Sequence, residues 1–250
     1  TRTLERLFEY HQILQQTSQL RKLVVCLHGN SGSGMTTLSA LFARLAKTSY
    51  VQLINVNTFH GLTVSEKQTR LSQAFDVADH VPNSVIVIDT LEDMLEMNLG
   101  RRPLDKMSSE LMSLIQRDPV ATGSATVLNS KMFVLVVTSK KELSEQFGSV
   151  AYDAVVTVPD VTLESAERML CAYKIVSNVT AAKALASIIS LGNVNMKRLA
   201  FLIHASHGFN EASQSHTQKP AGDISSLVRA DAASMTARPL EDLCVGSNVV

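Results

Sequence analysis

Gly29-Asn30-Ser31-Gly32-Ser33-Gly34-Met35-Thr36-Thr37 lies between two apolar segments of different period. Before it, Lys22 to His28 (KLVVCLH) is a short, β-branched apolar run that reads as a buried strand. After it, Leu38, Leu41, Phe42 and Leu45 recur at the spacing of one helix face. A strand, a glycine-rich turn and a helix in that order form a cradle for an anion. The glycines let the backbone curl until successive N–H groups point at one centre, and the helix adds the positive end of its dipole. The stretch fits the phosphate-binding pattern GxxxxGK[ST] at every fixed position except the lysine, where Met35 stands. Thr36 falls where a hydroxyl would ligate Mg²⁺.

Working outward, the same alternation repeats. Val51–Val56 reads as a strand, 66–79 as a helix carrying Leu71, Ala74, Phe75 and Ala78, and Val85–Ile88 as a strand. A helix over 104–117 with Met107, Leu111, Leu114 and Ile115 follows, then a strand over Met132–Val137 and a fifth over Ala154–Val158. An amphipathic helix over 4–18 precedes them all. Strands that are apolar throughout, each followed by a helical pattern, predict an α/β fold: a five-stranded parallel sheet with helices on both faces. After Pro159 the strands stop, and 162–173, 179–190 and 195–206 all read as helices. The expected organisation is therefore an α/β subdomain over 1–160, a small all-α lid over 161–207, and a disordered tail over 208–250, rich in Ser, Ala, Thr and Gln.

Composition narrows the classes of function. The 250 residues carry 23 Lys+Arg against 23 Asp+Glu, so no basic footprint argues for nucleic acid or an anionic membrane. No run approaches the ~18 apolar residues of a transmembrane helix. The three cysteines, Cys26, Cys171 and Cys244, share no CxxC spacing, which fits a reducing compartment better than a disulfide framework. The start, Thr1-Arg2-Thr3-Leu4-Glu5, has no signal-peptide core and reads as the beginning of a fragment of a longer chain. His28 has no second ligand at metal spacing and reads as structural. Met94, Met97, Met107 and Met112 follow helical spacing and read as packing.

The second half of a phosphate site is an acidic residue ending an apolar strand. Val85-Ile86-Val87-Ile88-Asp89 supplies it, and Asp89 is placed to hold Mg²⁺. The next residue, where a hydrolysing ATPase carries a water-activating Glu, is Thr90, which cannot act as a base. Glu92 and Asp93 read as helix-face residues. Met35 removes a cation from the phosphates, and a hydrogen bond to a charged group contributes roughly 1.5–3 kcal/mol. Its loss predicts nucleotide binding weakened ~10–100-fold, with transfer harmed more because charge builds there in the transition state. Other nucleotide motifs fail. Asp89-Thr90-Leu91-Glu92 is not DxxG, Ser139-Lys140-Lys141-Glu142 is not NKxD, and the loop lacks the third glycine of GxGxxG.

The ordered set of motifs resembles the second ATPase domain of the N-ethylmaleimide-sensitive factor (NSF) family of AAA+ proteins. The resemblance runs through Thr1-Arg2-x-Leu4, Gln15-Gln16-Thr17, Leu23-Val24-Val25, Gly29 and Ser33-Gly34-Met35-Thr36. It continues through Asn83 to Asp89, Leu91-Glu92, Val137-Thr138-Ser139-Lys140-Lys141, Val158-Pro159-Asp160, Met196-Lys197-Arg198-Leu199 and Leu202-Ile203, and so covers roughly residues 1–206. It implies a hexameric ring in which this domain binds ATP mainly to hold the assembly together, while a preceding ATPase domain does the work. The larger protein would take apart SNARE complexes through SNAP-type adaptors in vesicle-mediated transport, in the cytoplasm and peripheral to membranes.

By position, the resemblance gives Ser139 contact with the γ-phosphate and Lys197 the role of a lid lysine that reaches the phosphates. It places Phe59, His60 and Gly61 at the aromatic loop that lines the pore of such rings. The chain departs from the family at Met35, and no arginine in 143–153 fits a neighbour-sensing finger. The expected function is therefore an ATP-binding, ring-forming domain that hydrolyses poorly or not at all. The alternatives are a competent ATPase using Lys197 in place of the missing lysine, and an oligomerisation scaffold that needs no nucleotide.

Overall fold

Runs with no polar alternation satisfy themselves only when both faces are covered, and that requirement organises this chain. The computed structural model describes residues 2–95, 105–117, 130–146, 151–172, 186–187 and 194–215. The chain divides into two units, Thr1–Val158 and Pro159–Val250.

The first unit is built on five parallel strands: β1 (Lys22–Gly29), β2 (Tyr50–Ile54), β3 (Asn83–Ile88), β4 (Lys131–Thr138) and β5 (Ala154–Val158), in the order β2-β3-β4-β1-β5. The three central strands are buried almost without interruption. The edge strands alternate instead, and β2 leaves Val51 and Leu53 exposed.

Alternate residues feed two separate cores, as the pleat requires. Val24, Ile86, Ile88, Met132, Val134 and Val136 point to one side. There they meet Leu71, Phe75 and Ala78 of α3 (Val64–Asp79) and Met107, Leu111 and Ile115 of α5 (Asp105–Gln116). On the other side, Val25, Leu27, Val85, Val87, Phe133 and Leu135 meet Leu7 and Leu14 of α1 (Arg2–Gln16) and Phe42 of α2 (Met35–Leu45). Two short helices close the C-terminal edge: α4 (Leu91–Met94) after β3 and α6 (Lys141–Gln146) after β4. The expected α/β parallel sheet is what forms.

An ion pair stitches α3 to the end of α5. Arg117 donates to Asp79 at 2.8 Å and Asp76 at 2.9 Å, and Asp79 is only 5% exposed. Burial raises the Asp79 carboxyl from its ordinary value, while Arg117 pulls it back.

In the second unit, α7 (Leu163–Ala172) and α8 (Met196–Ser215) share a small core of Ala166, Leu170, Ala186, Val194, Leu199, Leu202 and Ile203. Asn195 caps α8 by accepting from the Arg198 N–H at 2.9 Å. The middle helix expected over 179–190 lies outside the described residues apart from 186 and 187, which are helical. α8 runs to Ser215, past residue 207, where the lid is expected to end. An isolated glycine such as Gly208 costs a helix only about 1 kcal/mol and does not by itself end one.

Candidate functional site

The glycine-rich turn leaves the C-terminal end of β1, which lies between β4 and β5, and Thr36 beyond it reaches the end of β3. Ser33 N–H donates to the Asn30 carbonyl at 3.0 Å, which closes the curl. Two glycines are obligatory here. A Cβ on Gly29 would stand 3.0 Å from both Ser33 Oγ and Val158 Cβ, and Gly34 has φ +91°.

Gly34 is the N-cap of α2 and offers no side-chain cap to the first-turn N–H groups, which have no intrahelical acceptor. Among the described residues the buried Ser33 Oγ has no hydrogen-bond partner, a state that costs about 1–3 kcal/mol. Asn30, Ser31, Thr36 and Thr37 are exposed around it, with Gly32 half-buried.

Thr36, in the first turn of α2, donates from Oγ1 to Asp89 Oδ1 at 3.2 Å. Asp89 ends β3, and its own N–H donates to the Ile54 carbonyl of β2 at 2.8 Å. Burial pushes the Asp89 carboxyl above its ordinary range. Hydrogen bonds from Thr36 and the Thr90 backbone oppose that, while Glu92 and Asp93 add to it. Asp93 is raised in the same way, first by burial and then by Glu92, against the pull of Lys140. Among the described residues no three His, Cys, Asp or Glu side chains converge to hold a metal ion alone. A cation here would therefore take the Thr36 hydroxyl, the Asp89 carboxylate and oxygens of a bound ligand, an arrangement that suits Mg²⁺.

Met35, at the lysine position, is 8% exposed and belongs to the core that contains Val25, Leu27, Phe42 and Val158. Its side chain is packing; only its backbone N–H belongs to the anion cradle. Thr90 is held at φ 54°, ψ 61°, a left-handed conformation in which a β-branched residue is strained.

The sheet register also delivers Ser139. Thr138 pairs with His28, so Ser139 emerges beside Gly29. His28 Nδ1 lies 3.2 Å from the Thr138 carbonyl, within the sheet. Ser139 is engaged by Glu92, which the sequence shows only as a helix-face residue: it is 5% exposed, and Ser139 Oγ donates to it at 2.6 Å. A trace of this was present in the sequence. Glu92 stands three residues before Leu95, so on a helix it shares the face of a core residue.

Lys197 is exposed in the first turn of α8, within the second unit. At the loop that the resemblance assigns to a pore, the aromatic is packed. Phe59 is 4% exposed and packs in the core with Ile54, Leu71 and Phe75. It ends a short 3₁₀ turn over Val56–Phe59, whose capping box joins Asn55 and Thr58 and rolls the ring inward. Only His60 and Gly61 remain exposed there.

A parallel sheet with its glycine-rich turn on an inner strand, and an acidic strand end bonded to that turn, define the class of P-loop nucleotide-binding domains. The family model for the ATPase family associated with various cellular activities (AAA) matches residues 25–149, and the chain belongs to that family.

Within it, the chain is similar to a vesicle-fusing ATPase of Arabidopsis thaliana, 32% identical over 151 residues, covering 59% of this chain and 19% of that protein. It is also similar to the vesicular-fusion protein SEC18 of Saccharomyces cerevisiae, at 24% identity over 155 residues (61% of this chain, 20% of that one). A vesicle-fusing ATPase of Caenorhabditis elegans is 26% identical over 140 residues, 55% of this chain and 16% of the relative. Within the AAA family, then, the chain's recorded likeness is to one region of vesicle-fusing proteins. The matched region spans about a fifth or less of each relative's length.

Proposed function

We infer that the chain binds ATP with Mg²⁺ at the Gly29–Thr37 turn and uses that complex to stabilise a homo-oligomeric ring, a hexamer by the family resemblance. The observation that carries this reading is the Thr36–Asp89 hydrogen bond at 3.2 Å, beside an uncapped helix N-terminus and the unsatisfied hydroxyl of Ser33. The backbone N–H groups of residues 29–37 hold phosphate oxygens, Thr36 and Asp89 hold the cation, and Ser139 lies beside the turn. Mg²⁺ supplies charge neutralisation to the phosphates, which matters more here because Met35 supplies none.

Turnover is slow or absent in this reading, since Thr90 has no group that accepts a proton from water at neutral pH. The larger protein acts in SNARE disassembly during vesicle-mediated transport, with SNAP-type adaptors bound by its other parts, in the cytoplasm and peripheral to membranes. Among the described residues no helix is long and apolar enough to cross a membrane. The resemblance gives Lys197 a role toward the phosphates, and Lys197→Ala tests it by its effect on ATP affinity.

Light scattering of the chain with and without Mg-ATP tests the reading. A shift from monomer to about six subunits supports it, and a mass indifferent to ATP contradicts it. A second reading, a scaffold that assembles without nucleotide, is favoured by one observation: the residue at the lysine position is committed to the core. It expects a ring of the same mass whether or not ATP is present.

A further inference from the structure

Glu92 is a buried carboxylate whose hydrogen-bond partners among the described residues come from the end of β4. Thr138 Oγ1 donates to Oε2 at 2.8 Å, while the Ser139 N–H at 3.1 Å and the Ser139 hydroxyl at 2.6 Å both donate to Oε1. Thr138 is fixed in turn, its Oγ1 accepting from the Lys140 N–H at 3.1 Å. Bonds to a carboxylate are roughly twice as strong as neutral ones, and a serine hydroxyl has a single proton to donate. While Ser139 gives that proton to Glu92, it has none for a phosphate.

We propose that Glu92 is the positioning residue of Ser139 and masks it, so that this site binds ATP and ADP alike until the Glu92–Ser139 bond opens. The proposal rests on the nucleotide reading above and deepens it. Ser139 emerges beside Gly29, next to the turn, and is the group suited to sense a terminal phosphate. An incoming γ-phosphate competes with Glu92 for the same proton and also meets its charge, which already raises the Asp89 and Asp93 carboxyls. ADP lacks that phosphate and is indifferent to both effects.

The test is equilibrium titration of the full chain with Mg-ATP and Mg-ADP, in the wild type, in Glu92→Gln and in Glu92→Gln/Ser139→Ala. Glutamine keeps the shape and removes the charge. The expected ATP-to-ADP affinity ratio is near one in the wild type, rises about tenfold in Glu92→Gln, and returns toward one in the double variant. A purely structural role for Glu92 would weaken both nucleotides together. An unchanged ratio in Glu92→Gln overturns this proposal while a wild type that binds ATP keeps the nucleotide reading; a wild type that binds neither nucleotide overturns both.

Should Glu92→Gln not fold, amide exchange on the wild-type chain decides. Saturating Mg-ATP and Mg-ADP are expected to leave the Ser139 amide equally protected, because Glu92 holds it in both complexes, and faster exchange with Mg-ATP alone overturns the proposal.

Discussion

Thr36 Oγ1 and Asp89 Oδ1 lie 3.2 Å apart, although 53 residues separate them in the chain. The contact joins the first turn of α2 to the end of β3 and places a hydroxyl and a carboxylate where one cation can take both. Burial, helped by Glu92 and Asp93, leaves Asp89 raised in pKa despite hydrogen bonds from Thr36 and the Thr90 backbone, a state that a cation would relieve.

Asp89→Asn keeps the size of the side chain and removes its charge. It should abolish most of the Mg²⁺-dependent part of ATP affinity, a loss of roughly 10–100-fold if the charged contact contributes in the usual range. Titration of a fluorescent ATP analogue with and without Mg²⁺ measures this. An Asp89→Asn chain that gains as much from Mg²⁺ as the wild type would remove Asp89 from the site.

Met35→Lys should separate affinity from stability. The lysine restores a cation to the phosphates and should tighten ATP ~10–100-fold. The same change withdraws a methionine from a core position, forfeiting part of the ~1.5–3 kcal/mol that burying such a side chain contributes. Calorimetric titration and denaturant unfolding, run on the same samples, should therefore move in opposite directions. A stable variant with unchanged ATP affinity would show that the missing lysine is not what limits binding.

Thr90 holds φ 54° and ψ 61°, so its β-branched side chain is strained in every copy of the fold. Glycine takes that conformation without penalty, and Thr90→Gly should stabilise the chain by about 1 kcal/mol. For a chain of this size that is a rise of about 2–4 °C in Tm. A fall in Tm would mean that the threonine side chain makes contacts outweighing the strain.

His11 on α1 is buried against two aromatic rings, 6.0 Å from Phe42 and 5.8 Å from Phe133 between centroids, both edge-on. Burial lowers its pKa from the ordinary histidine value. Protonation therefore favours the unfolded chain. The contribution of neutral His11 is fully present above the ordinary value of about 6.5 and is lost as pH falls from there through the lowered folded value. Thermal melts between about pH 7.5 and 5 should show a steeper acid loss for the wild type than for His11→Gln. Parallel curves for the two proteins would show that His11 remains solvated.

The strands and the turn were legible because their causes are local. A run such as Val85–Ile88 has one covered-on-both-sides solution, and a glycine-rich turn after Lys22–His28 has one use for its N–H groups. Thr36 and Asp89 could be paired from the pattern alone, since the turn and the acidic strand end recur together in phosphate sites. Ser139 was reached only through family resemblance, and the pattern left open whether Phe59 packs and how deeply Glu92 is buried. A lone aromatic before a glycine looks identical in sequence whether it faces solvent or core; the capping box at Asn55 and Thr58 turned it inward.

The amino-acid sequence by itself determined the α/β class, the position of the anion cradle and the absence of a cation at Met35. Periodicity, glycine conformations and side-chain chemistry are properties of neighbouring residues, and they survive without a fold. Tertiary structure alone decided that Met35 is core, that Thr90 is strained, and that Glu92 reaches across 46 residues to clasp Thr138 and Ser139. Those outcomes depend on which strands lie side by side, because the order β3-β4-β1 brings three chain ends to one edge, where a buried carboxylate takes the nearest donors it can find.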